Sequence, residues 1–321
     1  MKNIAIVGAG MCGITCANYL FSKGFEVTVF EKSRGLGGRM ATRRINSDLS
    51  VDHGAQYITT NTPAFKKYLD LCVSEGFAEH WSPIGMDANY LKQNEIFVGT
   101  PGMSNLLKLH AQKLNIKFSS RVETITRIDK KWLVSLENFE SKQLFDIVIF
   151  AIPSYQVKEI IPQEKVLVEE LSAVVIDPCW SLILITKNTL SANSYNRFYN
   201  NNISLIVYNA SKPQRNKVSN SYIIHTSSEW TNRNLSLESD EAELKIINLL
   251  ENQLNEKIET EYLKAHRWLY AQTRVTLGKS FLNSQDNTLF AGGDWCIGAN
   301  VEAAFNSGLK IGKFVNSQFG L

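Results

Sequence analysis

Cysteine is scarce in this sequence, and its spacing matches neither a metal site nor a disulfide framework. The five cysteines are Cys12, Cys16, Cys72, Cys179 and Cys296, an odd set without a CxxC pair in 321 residues. Disulfide-rich frameworks belong to oxidising compartments, whereas reducing compartments keep such thiols free. The sequence therefore predicts no bound metal and no disulfide, and it favours a cytoplasmic location.

Long apolar runs and a strong excess of one charge are missing as well. No uninterrupted apolar stretch approaches the roughly 18 residues that a membrane-spanning helix needs, and the apolar start of the chain is broken at Gly8, Gly10 and Gly13. The 34 basic and 31 acidic residues leave a net charge of +3, without a dense Lys/Arg run interleaved with aromatic residues. The sequence therefore predicts neither a membrane nor a nucleic acid as partner and favours a small molecule. Nothing in it predicts an oligomeric state.

The first feature that is present is a strand, turn, helix and strand within about thirty residues. An apolar strand over Asn3–Val7 precedes the sequence GAGMCG at 8–13, a helical pattern over 14–22 and a second strand over Glu26–Phe30. Glu31 ends that second strand, about twenty residues after the glycines. This context is typical of a Rossmann-type dinucleotide-binding unit.

Each glycine of the GxGxxG pattern has a physical reason in such a unit. Gly8 permits the tight turn, Gly10 lets the backbone approach a pyrophosphate at the helix N-terminus, and Gly13 lets the helix pack closely on the strand. Glu31 could then accept hydrogen bonds from a ribose. The motif alone is compatible with either NAD or FAD.

The remaining chain indicates a second lobe inserted into the first. Strands are predicted over 147–152, ended by Pro153, and over 288–291, before a helix over 301–314. The other predicted elements are helices over 63–75, 104–114 and 240–255, short strands and turns over 81–98, and strands over 116–136, 181–186, 204–208 and 222–226. The segment from about 162 to 266 is therefore expected to be mostly antiparallel, while the two chain ends build one domain.

The loop after Glu31 narrows the choice of dinucleotide by resemblance. Its sequence KSRGLGGRM, at 32–40, resembles the GG-R motif of the flavin amine oxidase superfamily. Two glycines would let the backbone pass beside the pyrophosphate, and Arg39 would offset the charge with its forked donors. The resemblance implies one non-covalent FAD.

Within that superfamily, the chain resembles renalase and the bacterial renalase-like oxidases nearly end to end. The resemblance is carried by DHGAQYIT at 52–59, HRWLYA at 266–271, GDW at 293–295 and VEAA at 301–304. Together with the glycine loop, it implies a set of FAD-binding positions. These are Gly8, Gly10, Met11, Cys12, Gly13, Glu31, Lys32, Gly38, Arg39, Met40, Gln56, Tyr57, Val122, Asp294 and Val301.

The residues of this set that lie outside the glycine loop carry distinct expectations. By resemblance, Gln56 and Tyr57 would hydrogen-bond to the flavin, and the backbone of Val122 would meet the adenine. Asp294 would bind ribityl or phosphate-side hydroxyl groups, unless it only caps the next turn. The helix starting near Val301 would direct unpaired N–H groups and its positive dipole end at the flavin pyrimidine edge.

No catalytic acid, base or nucleophile stands out, and the catalytic residues stay unassigned. The candidates for walls of a flat substrate cavity are Tyr57, His266, Trp268, Tyr270 and Trp295. An ordinary core position is the alternative for each aromatic residue. Arg267 could meet a substrate phosphate or lie on the solvated surface, and His53 is interpreted as structural beside Asp52.

The predicted fold class is α/β, a Rossmann-type FAD-binding domain with an inserted, mostly antiparallel α+β substrate domain, as in two-domain flavoproteins of the amine-oxidase type. The predicted FAD-binding domain comprises 1–62, 100–160 and 270–321, and the predicted substrate domain comprises 63–99 and 161–269. The substrate would bind in the cleft between the two domains.

The resemblance implies an FAD-dependent oxidase in which a small substrate gives hydride to flavin N5 and molecular oxygen reoxidises the flavin. The leading substrate class is the dihydro isomers of NAD(P)H, oxidised to NAD(P) with release of hydrogen peroxide. A flavin amine oxidase or desaturase is the alternative enzyme, and a non-catalytic flavin-binding module is the alternative from another class. A single GxGxxG leaves no second Rossmann unit for NAD(P)H, and no Ser-His-Asp array, HExxH or P-loop supports other chemistry.

Overall fold

The computed structural model describes residues 2–137 and 143–320, and these residues form two compact units. The first unit comprises Met1–Gly38, Leu107–Ile176 and Thr273–Leu321, and the second comprises Arg39–Leu106 and Asp177–Gln272. A mixed α/β architecture with a mostly parallel sheet in one unit and an antiparallel sheet in the other confirms the predicted fold class.

The unit boundaries differ from the predicted domain boundaries in two ways. The structure groups residues 39–62, 100–106 and 270–272 with the second unit, and it groups residues 161–176 with the first. The predicted FAD-binding segment 100–160 also includes residues 138–142, which lie outside the described residues. The division into a cofactor domain and a substrate domain stays a prediction, because it concerns function rather than compactness.

The first unit contains nine strands and five α-helices among its described residues. Its strands are β1 (Asn3–Val7), β2 (Glu26–Phe30), β7 (Asn115–Lys117), β8 (Val122–Ile128), β9 (Lys131–Leu136), β10 (Leu144–Phe145), β11 (Ile147–Phe150), β17 (Leu282–Asn283) and β18 (Leu289–Ala291). Its helices are α1 (Met11–Ser22), α4 (Lys108–Ala111), α5 (Ser154–Ile160), α6 (Lys165–Ser172) and α9 (Val301–Phe319).

The second unit is built from the remaining elements. Its strands are β3 (Thr42–Arg44), β4 (Ser50–Asp52), β5 (Ala78–His80), β6 (Phe97–Gly99), β12 (Val175–Thr186), β13 (Tyr195–Arg197), β14 (Ile203–Tyr208), β15 (Asn220–Thr226) and β16 (Thr260–Val275). Its helices are α2 (Pro63–Ser74), α3 (Ala88–Gln93), α7 (Ser228–Arg233) and α8 (Ser239–Leu254).

The first-unit sheet has the strand order β17-β18-β11-β1-β2-β7, and all neighbours pair in parallel except β17 with β18. All four residues of β11 are at most 1% exposed, which confirms the predicted strand buried on both faces. Helices α1 and α9 approach backbone to backbone, because a Cβ atom on Gly308 would lie 2.2 Å from the carbonyl oxygen of Cys12. The chain's last helix thereby holds the start of α1 in place.

The second-unit sheet has the order β13-β14-β15-β12-β16 and separates two apolar clusters. On one face, Leu182 and Leu184 of β12 pack with α8. On the other face, which we call the hairpin face, Ile183 and Ile185 pack against Val51 of the β3–β4 hairpin. The side chains of β12 alternate between these clusters as the two-residue period of a strand requires.

Several elements differ from the sequence-based expectations. Helix α3 lies where only strands and turns were predicted, and none of its residues is buried, so no apolar period marked it. The helix predicted over 104–114 is divided into a 3₁₀ turn at Met103–Leu107 and the short α4. The 16-residue strand β16 was not recognised as one element. Among the helices that the structure describes, none combines the length and apolar character needed to cross a membrane.

Candidate functional site

The glycine loop of the first unit is as tight as its motif predicts. A Cβ atom on Gly13 would lie 2.0 Å from the carbonyl oxygen of Gly8, so only glycine lets α1 begin this close to the end of β1. Gly8 itself has a φ of 106°, a conformation that favours glycine. The backbone turn between β1 and α1 is therefore fixed by glycine at these two positions.

The space beside Gly10 is open instead. The nearest atom to a Cβ on Gly10 would be the carbonyl oxygen of Gly37, at 4.0 Å, and a Cβ on Gly38 would meet Cα of Gly10 at 3.7 Å. Gly10 is the N-cap of α1, which has no side-chain cap and no acidic residue in its first turn. A pyrophosphate fits here, because the first-turn N–H groups and the positive dipole end meet no competing anion from these residues.

Glu31 ties the glycine loop to the loop that follows β2. It is 6% exposed; its Oε2 accepts a hydrogen bond from the backbone N–H of Ala9 at 2.8 Å and its Oε1 one from that of Ser33 at 2.8 Å. Each carboxylate oxygen keeps acceptor capacity for a ribose hydroxyl. Glu31 therefore fits its predicted role and also shapes the loop.

The predicted cofactor residues fall into both units. The structure brings Gly8, Gly10, Met11, Cys12, Gly13, Glu31, Lys32, Gly38, Val122, Asp294 and Val301 into the first unit, and Arg39, Met40, Gln56 and Tyr57 into the second. Lys32 is exposed, whereas Val122, at the start of β8, is 6% exposed. Their contacts to FAD stay predictions.

Asp294, a predicted FAD-binding residue, and Trp295, a predicted cavity wall, follow the end of β18 and have different surroundings. Asp294 is 5% exposed, and its Oδ2 accepts a hydrogen bond from the Thr273 hydroxyl at 3.1 Å. Trp295 is fully buried and donates from Nε1 to the carbonyl oxygen of Ile152 at 3.0 Å. A ring without exposed surface offers no face to a substrate, so Trp295 is a core residue and not a cavity wall.

The start of α9 has fewer free donors than expected at Val301. The Asn300 side chain accepts a hydrogen bond from the N–H of Ala303 at 2.8 Å, which caps the helix from within the chain. The first turn also carries Glu302, which is 4% exposed. The cap satisfies one of the four first N–H groups of the helix, and the expected dipole effect on a reduced flavin stays a prediction.

The thiols near these segments are inert. Burial raises the pKa of Cys12 well above its usual range and the pKa of Cys296 to about 12, so both stay protonated at neutral pH. All five cysteines are free, and no group of three or more His, Cys, Asp or Glu side chains in the described part of the chain could hold a metal ion.

The second unit contains a buried charge cluster that the sequence did not reveal. We call it the Asp52 cluster, and its members are Asp52, Gln56, Lys212 and Arg215. Oδ2 of Asp52 accepts hydrogen bonds from Lys212 Nζ at 3.2 Å and from the Arg215 guanidinium at 2.6 Å and 3.2 Å. Asp52 and Lys212 are fully buried, and the Arg215 side chain is 1% exposed. No motif in the sequence marks Lys212 or Arg215 as a partner of Asp52.

The backbone and a hydroxyl group complete the bonding of Asp52. Its Oδ1 accepts from the Thr42 hydroxyl at 2.7 Å and from the N–H of Met103 at 2.9 Å. Burial alone would raise the pKa of Asp52, but Lys212 and Arg215 hold it well below its usual range. Burial lowers the pKa of Lys212 to about 8 despite the attraction of Asp52. Two cations therefore share one carboxylate.

The predicted roles of Gln56 and Tyr57 at the flavin stay predictions, and both side chains make contacts within the second unit. The Gln56 amide donates to the carbonyl oxygens of Asp52 and Gly54 and accepts from Lys212 at 3.0 Å, so most of its bonding capacity is used within the unit. Tyr57 is half-buried, with its ring edge-on to Tyr195 at a centroid distance of 5.8 Å. Burial raises the pKa of Tyr57 above its ordinary value, which keeps the hydroxyl protonated.

Three histidines meet on the hairpin face of the second unit. We call His53, His225 and His266, together with Trp268, the histidine cluster. The His53 ring stacks on Trp268, with 5.1 Å between the ring centroids, and lies edge-on to His266, with 5.0 Å between the centroids. The ring centroids of His266 and Trp268 are 4.5 Å apart. His225 hydrogen-bonds to the backbone of His53. His266 and Trp268 are half-buried, so an accessible surface remains.

The neighbours of this cluster on β16 divide between the two faces of the strand. Tyr270 is half-buried and shares the face of His266 and Trp268 by alternation. Arg267 lies on the other face, where it donates to the carbonyl oxygens of Leu235 and Leu237. The expectation that Arg267 meets a substrate phosphate beside His266 therefore has no support in this geometry.

We expect the neutral histidines to make folding stability depend on pH. Burial, followed by the charges of His266 and Arg43, lowers the pKa of His53 from 6.5 to about 3. The unfolded chain takes up a proton that folded His53 resists, so stability is full above pH 6.5 and falls as the pH drops from 6.5 toward 3. The loss should approach about 1.4 kcal/mol per pH unit for this residue.

Urea unfolding of the FAD-loaded protein at several pH values below 6.5 measures this loss. The His53→Gln variant should show a shallower decline than the parent protein, whatever its stability at neutral pH. The exposed His80 supplies the matched control, since His80→Gln should keep the parent's decline. An unchanged decline in His53→Gln would contradict the assignment.

The described geometry is that of an α/β dinucleotide-binding protein. Its first unit contains the glycine loop, and its second unit contains the buried Asp52 cluster. The sequence profile described as "Flavin containing amine oxidoreductase" matches residues 70–311, and the profile described as "NAD(P)-binding Rossmann-like domain" matches residues 6–71. The chain therefore belongs to the flavin-containing amine oxidoreductase family. The predictions of a Rossmann-type flavoprotein, an oxidoreductase and FAD as cofactor are confirmed at this level.

Individual relatives are more distant. Protoporphyrinogen oxidase 2, chloroplastic/mitochondrial, of Arabidopsis thaliana is 35% identical over 101 residues, 31% of this chain and 19% of that protein. A putative protoporphyrinogen oxidase of Exiguobacterium sp. 255-15 has a similar structure, with a TM-score of 0.73 at 13% identity and 99% coverage of both chains. A putrescine oxidase with redesigned cofactor binding has a TM-score of 0.72 at 12% identity, covering 98% of this chain and 99% of that one.

The chain spans only 19% of the length of the Arabidopsis protein, and the two structures share its fold. The family and the cofactor follow from the profile match, whereas a shared fold does not define a substrate.

Proposed function

We propose that this protein is an FAD-dependent oxidase of an anionic dihydronicotinamide, which converts dihydro isomers of NAD(P)H to NAD(P) and reduces molecular oxygen to hydrogen peroxide. One observation carries the choice of substrate: the interior of the second unit has a surplus of positive charge. Its buried charged side chains among the described residues are Asp52, Lys212 and Arg215, two cations and one carboxylate. A surplus of this sign attracts an anionic dinucleotide and disfavours a cationic amine.

The chain's own groups would bind and orient the reactants. The open space at Gly10 and the first turn of α1 suit the FAD pyrophosphate, and Glu31 suits a ribose. The half-buried Trp268 ring offers a planar surface for a dihydropyridine ring. When bound, FAD accepts the hydride and passes the electrons to oxygen. Orientation and exclusion of water suffice here, because hydride loss from a dihydropyridine requires no catalytic base.

Oxidation of an amine is the second candidate function, because the second unit contains a group of three aromatic rings. Aromatic rings can hold an ammonium group, and Tyr57, Trp81 and Tyr195 lie together in the second unit. However, Lys212 Nζ already lies 5.8 Å from the Trp81 ring centroid. A second cation against the same ring would be repelled, which favours the dihydronicotinamide over the amine. The proposal includes a cytoplasmic location, since all five cysteines are free.

Anaerobic stopped-flow absorbance of the FAD-loaded protein tests the proposal. We expect the dihydro isomers of NAD(P)H to bleach the oxidised flavin rapidly, while a panel of amines including putrescine leaves it oxidised. Addition of oxygen should restore the flavin and yield one hydrogen peroxide per dihydronicotinamide. Bleaching by an amine alone would replace the proposal with the second candidate. Failure of every reductant to bleach the flavin would favour a binding module without turnover.

A further inference from the structure

The hairpin face of the second-unit sheet changes from apolar to polar side chains along its strands. Ile183 of β12 and Ile223 of β15 pack against the hairpin in an apolar cluster. Two residues further along the same faces lie Ser181 and His225, which pair with each other across the two strands. The next strand adds His266 to this side of the sheet. The polar end of this face is therefore built by alternation on three strands, not by a loop.

Histidine is concentrated at this end. The chain has five histidines, and three of them belong to the histidine cluster. Arg43, on β3, pairs with Val51, so the two side chains share the side of the hairpin that packs on this face. Burial lowers the pKa of both His53 and His266, and the positive charge of Arg43 lowers each further. The other charged groups acting on these imidazoles are Asp52, Lys212 and Arg197. Cations outnumber carboxylates here, since Asp52 is shared by Lys212 and Arg215.

Two ring nitrogens of the cluster have unmet hydrogen-bonding capacity. Nδ1 of His53 and Nε2 of His225 are buried, and neither has a hydrogen-bond partner. His53 is only 7% exposed, and the cost of an unpartnered buried polar atom is about 1–3 kcal/mol. Most buried polar groups are satisfied in folded proteins. His225 donates one ring N–H to the His53 backbone, so Nε2 of its neutral ring is an acceptor and becomes a donor only when the ring is protonated. An anion with hydrogen-bond acceptors at this end of the sheet would stabilise that protonated form and offset the surplus charge.

The backbone of His53 is anchored, so its ring is held in place. The carbonyl oxygen of His53 accepts hydrogen bonds from the Ser181 hydroxyl at 2.8 Å and from Trp268 Nε1 at 3.0 Å. The stacked Trp268 ring fixes the imidazole plane. Preorganised donors lose little entropy when a ligand binds, which is typical of a binding site rather than of an adaptable surface.

We propose that Arg43, His53, His225 and His266 form a subsite for one oxyanion group of the substrate, a phosphate or a carboxylate, next to the Trp268 ring. The inference rests on the proposed function for the identity of the whole substrate, but the subsite itself requires only an oxyanion. Arg43 supplies the permanent charge, and the imidazoles supply N–H donors, His225 through Nε2 once its ring is protonated on binding. Because a bound anion stabilises protonated imidazole, it should raise the pKa of these histidines.

Nuclear magnetic resonance of the FAD-loaded, full-length protein with ¹⁵N-labelled histidine tests the subsite directly. The probes are inorganic phosphate, acetate, and sodium chloride at matched ionic strength. We expect phosphate or acetate to shift the ring resonances of His53, His225 and His266 saturably and to raise the pKa of His266 by about one unit. The resonances of His80, which lies outside the cluster, should not move. The tighter of the two probes identifies the oxyanion as phosphate or carboxylate.

Variants at Arg43 separate binding from folding. Arg43→Gln should weaken the oxyanion about tenfold, Arg43→Lys should restore part of that loss, and His80→Gln should change nothing. Equal responses to chloride, equal responses of all five histidines, or full binding by Arg43→Gln would overturn the subsite. Stopped-flow bleaching is a separate readout: if no dihydronicotinamide bleaches the flavin while phosphate still binds the cluster, the proposed function fails and the subsite stands.

Discussion

Replacing Gly10 by alanine should weaken FAD binding by at least about tenfold while leaving the folding of the protein without FAD unchanged. A Cβ atom on Gly10 would have no protein atom closer than 4.0 Å, and the φ of −86° and ψ of −173° suit any residue. The added methyl group would instead enter the space in front of α1, where the pyrophosphate is expected. Flavin absorbance retained after gel filtration and titration of the protein with FAD measure the loss.

Gly24 is the matched control, because its replacement should lower folding stability and leave FAD affinity unchanged. A Cβ atom on Gly24 would likewise meet no other atom within 4 Å, but the φ of Gly24 is 87°. Gly24→Ala should therefore lower the free energy of unfolding by about 1–2 kcal/mol through backbone strain while leaving FAD affinity unchanged. Equal FAD affinity in Gly10→Ala and the parent protein would show that the pyrophosphate lies elsewhere. Equal loss of folding stability in both variants would show that Gly10 serves packing.

Elements with a strong local signal were predictable from the sequence. The apolar run at β11 predicts a strand buried on both faces, and the structure confirms it. The signal is clear because a parallel strand covered by helices on both faces consists almost entirely of apolar residues. Helix α3 was missed because it buries no residue, and periodicity can reveal only a helix with an apolar face. Its beginning is marked by Asp87, whose side chain accepts from the N–H of Tyr90, but an isolated Asp is also common in turns.

The candidate sites show the same division between local and long-range information. The glycine loop is contiguous in the sequence, and the spacing of its glycines predicts the geometry of the turn. Lys212 meets Asp52 across 160 residues of sequence, and nothing in the residues around Lys212 distinguishes it from an exposed loop lysine. Trp295 failed as a cavity wall for a related reason, since an aromatic residue after a buried strand suits the core and a cavity equally well.

The largest loss of stability should follow from neutralising Asp52. Asp52→Asn keeps the size of the side chain but leaves Lys212 and Arg215 buried without a negative partner. It can also turn an amide N–H toward the donors that now bond to Oδ2. Removing one partner of a buried ion pair typically costs about 3–5 kcal/mol, and we expect a loss of this size in urea or thermal unfolding.

Two further variants distinguish charge imbalance from a general loss of packing. In Asp70→Asn, which breaks the exposed pair with Lys66, the cost should stay below about 1 kcal/mol. Lys212→Met should cost less than Asp52→Asn, because it leaves Asp52 and Arg215 as a balanced pair. Adding Lys212→Met to Asp52→Asn should then recover at least about 1 kcal/mol, since one of two unpartnered cations disappears. If the double variant is instead as unstable as the sum of the single variants, Lys212 stabilises the unit through contacts other than Asp52, and the surplus of positive charge that supports an anionic substrate loses its energetic basis.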